Sequence, residues 1–133
     1  MIAVDTNVLV RFLIDDDPKQ TVAARALFAR EPIWIAKTVL LETGWVLRRG
    51  YGFEASVVRD AFVKLSGLKN VHVEDESAVA SALALTEKGL DFADALHLVS
   101  RPADTAFVSF DKAFVQRAKR AGVADISGVG GRD

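Results

Sequence analysis

Residues 1–10 read MIAVDTNVLV, and the order of signals in that stretch decides the fold. Met1–Val4 is a short apolar run that stops on polar residues, the mark of a buried strand. Asp5, Thr6 and Asn7 break it. From Asn7 to Ile14 the chain reads NVLVRFLI, apolar nearly all round, which fits a helix that is buried or that faces a partner. A carboxylate therefore stands where a strand ends and a helix begins. Asp is a favoured helix N-cap, so Asp5 has an ordinary structural role open to it. In sheets covered by helices, the carboxyl ends of strands are also where sites form.

Working outward, the same alternation recurs. Asp17 and Pro18 open a helix over 18–30, and Glu31-Pro32 ends it because the residue before proline avoids the helical region. IWIA (33–36) is a second strand. Thr38 is the expected cap of a helix from about 39 to 50, stopped by Gly50 and Gly52, and a further helix covers about 54–66. NVHV (70–73) is a third strand. Glu74, Asp75 and Glu76 place negative charge at the positive end of an alanine-rich helix that Gly89 closes. A helix runs from about Asp91 to Arg101, TAFVS (105–109) is a fourth strand, a helix fills 112–121, and VADI (123–126) is a candidate fifth strand. Strands separated by helices imply parallel crossovers and a sheet covered on both faces. The expected fold is α/β: a three-layer α/β/α sandwich around a central parallel sheet of four to five strands. It is one domain over 1–126, followed by a flexible tail over 127–133.

Composition narrows the chemistry. The 133 residues are 50% hydrophobic with a mean hydropathy of +0.20, enough for a real core. The absence of cysteine removes disulfides and thiolate metal sites and fits a reducing compartment, so a cytoplasmic location is expected. No basic region leads into a long apolar stretch, so no signal peptide is expected, and no apolar run approaches the ~20 residues of a membrane span. A net charge of -1 does not advertise a nucleic-acid binder. A polyanion would have to be held by local basic groups or by metal ions.

Three further acids repeat the placement of Asp5 or echo it. Glu42 follows the second strand, inside KTVLLETGWVLRRGY, among Val39, Leu40, Leu41, Trp45 and Val46; it lies one position too late for a capping box with Thr38. Asp94, in GLDFADALHL, is the third helical position if Asp91 is the cap, and its neighbours are mostly apolar. Asp111, in FVSFDKAF, leaves the fourth strand as Asp5 leaves the first. Each has a structural reading as a cap, a charge favoured by a helix dipole or a surface group. Should strands one and four be neighbours, with MIAV as the central strand, all four reach one pocket. Clustered carboxylates repel and need a cation. Oxygen ligands without cysteine point to Mg²⁺ or Mn²⁺, an ion able to activate water at a phosphodiester.

The segments DTNVLV, LLETGWVLRRGYGF, DFADALHL and SFDKAF resemble the four motif regions of the PIN-domain ribonucleases, and more narrowly the VapC-type toxins of toxin–antitoxin pairs. The resemblance runs from Ile2 to about Phe114. It implies a parallel sheet flanked by helices and a metal-dependent ribonuclease that holds Mg²⁺ or Mn²⁺ on Asp5, Glu42, Asp94 and Asp111. It also implies Thr6 and Asn7 as groups that orient a carboxylate or a metal-bound water, and Ser109 as the hydroxyl where relatives often carry Thr. Asp91 either caps its helix or extends the acidic pocket. Further implications are a tRNA or ribosomal RNA substrate, a cognate antitoxin that blocks the pocket, and a homodimer.

Other residues read less sharply. Lys112, beside Asp111, is the best candidate for a phosphate contact, while Arg48, Arg49, Arg117, Lys119 and Arg120 suit solvated helix ends. His97, one turn after Asp94, either faces the site or is a packing or hydrogen-bonding residue, the commoner role; His72 reads as structural, and Trp34 and Trp45 as core or subunit-interface groups. The rival functions are a non-catalytic metal- or RNA-binding module on the same scaffold and a phosphoacceptor or phosphatase domain. The second lacks a paired D-x-D at strand one and an aspartate ending NVHV.

Overall fold

The computed structural model describes residues 1–131. Its first sheet contains β1 (Ile2–Ala3), β2 (Ile33–Ile35) and β3 (Val71–Val73), all parallel, in the order β1-β2-β3. The second contains β4 (Phe107–Ser109) and β5 (Ile126–Gly128), also parallel. Between them run α1 (Thr6–Leu13), α2 (Pro18–Arg30), α3 (Lys37–Trp45), a π turn (Val46–Gly50), α4 (Ala55–Ser66), α5 (Glu76–Glu87), α6 (Phe92–Val99) and α7 (Lys112–Arg120). The α/β class and the parallel crossovers are as expected, with helices layered on both sides of the strands.

The expected single sheet is instead two ladders, and β1 is an edge strand with β2 at the centre. The reason is the length of β1. The Ile2 amide donates to the Pro32 carbonyl at 2.8 Å and the Val4 amide to the Trp34 carbonyl at 3.4 Å. Alternate residues of a strand point their backbone groups to opposite sides, so Ala3 alone is left to face the other way. One residue cannot carry a second ladder.

Helix limits follow the sequence signals with two exceptions. Asp17 and Asp91 cap α2 and α6, accepting from the Gln20 amide at 3.2 Å and the Ala93 amide at 3.1 Å. Thr38 does not cap α3. The N-cap is Ala36, and the free Lys37 amide donates to the Glu74 carboxylate at 2.9 Å. Glu74 and Asp75, expected to serve α5, thus stitch the start of α3 to the end of β3, with Asp75 also pairing the Lys37 ammonium at 3.2 Å. Gly122 closes α7 at φ +89°, a left-handed value that glycine adopts without strain. The last strand shares only Ile126 with the one expected over 123–126: Ser127 and Gly128 pair with Val108 and Ser109, and 123–125 are not strand. Residues 132–133 of the expected tail lie outside the described residues.

The core is built from Leu9, Phe28, Ile33, Ile35, Leu40, Phe62, Leu65, Val79 and Ala95, among others. α1 settles the choice that its composition left open. Leu9 and Val10 are buried, Val8 and Leu13 pack on the core, and Phe12 stacks on Phe28 with ring centroids 3.8 Å apart. Its apolar faces are used inside the chain. No helix among the described residues is long and apolar enough to cross a membrane.

Asn70 ties two layers together. Its side-chain amide donates to the carbonyls of Phe28 and Glu31, at the end of α2. Those carbonyls belong to the unpaired last turn of a helix. Asn70→Ala is expected to cost about 1–3 kcal/mol, read as a lower urea midpoint at unchanged m-value.

Candidate functional site

Asp5 and Asp111 are built alike. Each ends a strand in extended backbone and caps the helix that follows: Asp5 Oδ1 accepts from the Val8 amide at 3.0 Å, Asp111 Oδ1 from the Phe114 amide at 3.0 Å. The capping and site readings are therefore compatible, because one oxygen of each carboxylate remains free of the cap. Ser109 adds a second restraint, its Oγ accepting from the Asp111 amide at 3.0 Å.

Glu42 lies on an exposed face of α3, and its carboxylate accepts a hydrogen bond from the Thr6 hydroxyl. This bond joins the residue after Asp5 to an acid 36 positions away. Asp94 sits half-buried in the first turn of α6. Burial, and then the negative charge of Asp91, push its carboxyl above the usual range; Asp111 adds to the effect, while His97 and Arg117 oppose it. Asp94, Asp91 and Asp111 thus share one electrostatic neighbourhood.

A cleft of about 770 Å³ opens between α3, the π turn, α4 and α6. Glu42, Asp91 and His97 line it together with Trp45, Arg48, Arg49 and Arg59. Its floor includes Phe62 and Phe92, edge to face at 5.2 Å between centroids. Gly44 permits this approach of α3 to α6, since a Cβ there would lie 3.3 Å from the Phe92 ring. Asp5 and Asn7 open instead on a shallower hollow shared with Arg11 and Gln20.

The four acids are therefore neighbours in a chain rather than the walls of one cavity. Asp5 adjoins Thr6, Thr6 holds Glu42, Glu42 shares the cleft with Asp91, and Asp91 and Asp111 act on Asp94. Among the described residues, no three Asp, Glu or His groups stand close enough to form a metal-holding group. The donor chemistry nonetheless fits a hard divalent cation: carboxylates and hydroxyls only, with one carboxyl whose charge its surroundings oppose.

Other expectations need revision. Trp45 is 64% exposed, so of its two readings the core one is excluded and the subunit-interface one is not; Trp34 is half-buried. His97 is exposed and lines the cleft, and His72 is exposed at the middle of β3, so neither is a packing residue. Lys112 is exposed and forms no ion pair among the described residues. Arg59 escaped the sequence reading altogether. The signal that could have found this face is the helical spacing of Glu42, Trp45 and Arg49, which sets them on one side of a helix.

The family model described as PIN domain matches residues 2–120, a span that includes Asp5, Glu42, Asp94 and Asp111. No curated protein gives a match. The matched span covers most of the 133 residues, and the α/β architecture agrees with it, so the chain belongs to the PIN domain family of nuclease folds.

Proposed function

We propose that this protein is a metal-dependent endoribonuclease of the VapC type, the toxin of a toxin–antitoxin pair that inhibits translation by cutting tRNA or ribosomal RNA in the cytoplasm. The observation that carries this reading is the succession of acids from the start of α1 through α3 and α6 to the start of α7, with Thr6 holding Glu42 and the charges of Asp91 and Asp111 acting on Asp94.

Asp5, Glu42, Asp94 and Asp111 would hold Mg²⁺ or Mn²⁺. When bound, such an ion activates water and neutralises charge on the phosphodiester. The remaining work falls to the chain. The Val8 and Phe114 amides fix the rotamers of Asp5 and Asp111. Thr6 fixes Glu42 by donating its hydroxyl hydrogen, and Ser109 fixes the backbone before α7. Asn7 stands beside Asp5, where it can orient a water, and Lys112 beside Asp111, where it can meet a phosphate. Asp91 caps α6 and also adds negative charge beside Asp94, so both roles weighed for it are compatible. A cognate antitoxin covering the cleft and a homodimeric assembly complete the reading.

Structured RNA incubated with the protein is expected to be cleaved in Mg²⁺ or Mn²⁺, and cleavage should stop in excess chelator. Activity that survives the chelator, or that Asp5→Asn leaves intact, overturns the assignment. Metal-dependent RNA binding without turnover would instead favour the non-catalytic module.

A further inference from the structure

We infer that Trp45, with Arg48, Arg49 and Arg59, forms a base-stacking and phosphate-holding subsite that feeds unpaired RNA toward Glu42. The inference rests on the ribonuclease reading and names residues that reading does not use.

The first observation is Trp45 itself. An indole left 64% exposed is costly unless something covers it, and this one lines a cleft rather than standing alone on a convex surface. The second is the company it keeps. Three of the chain's 17 basic residues line this one cleft in a protein of net charge -1. Arg48 and Arg49 form no ion pair among the described residues, and Arg59 meets only the exposed Asp60, at 3.7 Å. Arg48 spends one N–H on the Phe53 carbonyl at 3.0 Å, which holds its guanidinium in place without neutralising it.

The third observation is the π turn at Val46–Gly50. A π turn rotates less per residue than an α-helix, so the consecutive Arg48 and Arg49 both reach the cleft wall. Such turns inside helices are frequent at functional sites. The order along the helix is then acid, aromatic, cations. Glu42 comes first, Trp45 lies about one turn on, and the arginines lie about two turns on, roughly 10 Å along the axis.

This combination matches single-stranded nucleic acid. An aromatic face stacks a base of any identity, and flanking guanidiniums hold the backbone. A duplex hides its base faces and could not use Trp45. A protein segment is the competing occupant, but two arginines without ion pairs among the described residues, Arg48 and Arg49, and a third, Arg59, paired only at 3.7 Å with the exposed Asp60, complement phosphates around one indole better than they complement the basic or apolar peptide that Glu42 and Asp91 alone would attract.

The experiment is a titration of an oligouridine of about 12 nucleotides, and of a matched RNA duplex, in excess chelator, so that binding is read without cleavage. Anisotropy and intrinsic tryptophan fluorescence are followed together. The single strand is expected to bind, to quench fluorescence, and to bind about tenfold more weakly to Trp45→Ala. Trp45→Phe should retain affinity and lose the quench. Arg48→Gln and Arg49→Gln should each flatten the salt dependence by about 0.7 in log–log slope. Trp45 is exposed, so these variants should fold, which circular dichroism checks.

Equal affinity of Trp45→Ala and wild type overturns the inference, as does duplex binding as tight as single-strand binding. Quenching by a basic apolar peptide and not by RNA also overturns it and makes this face a protein-docking surface. The two readings fail separately. Trp45-dependent binding by a protein that never cleaves sinks the nuclease, whereas Asp5-dependent cleavage indifferent to Trp45 sinks only the subsite.

Discussion

Asp94→Asn is expected to raise thermal stability at neutral pH while abolishing RNA cleavage. A helix N-terminus ordinarily favours a carboxylate, but at Asp94 burial and the charges of Asp91 and Asp111 outweigh that benefit and raise its pKa. A carboxyl with a higher pKa folded than unfolded binds its proton more tightly in the folded state. Its ionisation therefore costs stability. The cost is absent below the unfolded pKa of about 3.9, grows as pH rises through the folded value, and is complete above it. Asparagine cannot ionise, so its advantage should be full at pH 7 and fade on acidification. Asp94 is only half-buried, and solvent screening limits the gain to on the order of half a kcal/mol, or about 1–3 °C in Tm.

Activity should move the other way. Loss of a group that merely orients a metal ligand costs about 10- to 100-fold, so loss of a ligand should cost more. Mg²⁺ should raise the Tm of the wild type and leave that of Asp94→Asn nearly unchanged. A variant that is less stable at pH 7 but more stable at pH 4 would contradict the charge argument. A variant that cleaves normally would remove Asp94 from the site.

The candidate acids were legible in the sequence because strand, aspartate and helix recur in that order, as in MIAVDTN and FVSFDKAF. Sequence alone could not choose between cap and site, and the geometry shows why: Asp5 and Asp111 cap with one oxygen and keep the other. Local chemistry also gave the α2 and α6 starts. What stayed hidden depends on contacts distant in sequence. Thr38 had the right residue type for a cap, yet it is Glu74 that accepts from the first amide of α3, that of Lys37, 37 positions away. The Thr6–Glu42 bond is equally non-local. The sheet was overdrawn because apolar runs reveal which segments are strands, but not how many residues of β1 have backbone groups left for a second partner. The cleft was missed for a further reason. A tryptophan between apolar residues reads equally as core or as a subunit-interface group, and only the packing of α3 against α4 and α6 shows that Trp45 faces outward while Phe62 and Phe92 fill the floor.

That floor supports the second large effect, Phe62→Ala. Phe62 is 1% exposed and belongs to the α4 stripe of Val58, Phe62 and Leu65, spaced as one face of a helix. Its ring meets Phe92 of α6 edge to face and lies 3.5 Å from where a Cβ on Gly44 of α3 would sit, so it is the common contact of three helices. Truncation removes a large buried ring from a place where backbone on either side cannot readily collapse. Gly44 has no side chain to move in, and Leu40 and Ala95 are already fully buried. The expected cost is about 3–5 kcal/mol, a large share of the roughly 5–15 kcal/mol that a domain possesses. Chemical denaturation should therefore show a much lower midpoint, with Phe62→Leu falling between the two. Because α3 carries Glu42 and α6 carries Asp94, the loss should also loosen the acids relative to one another. Residual activity at a temperature where the variant is still folded should require more Mg²⁺ than the wild type. A Phe62→Ala protein within 1 kcal/mol of wild type would mean that α3 and α6 are held in register by something other than this ring.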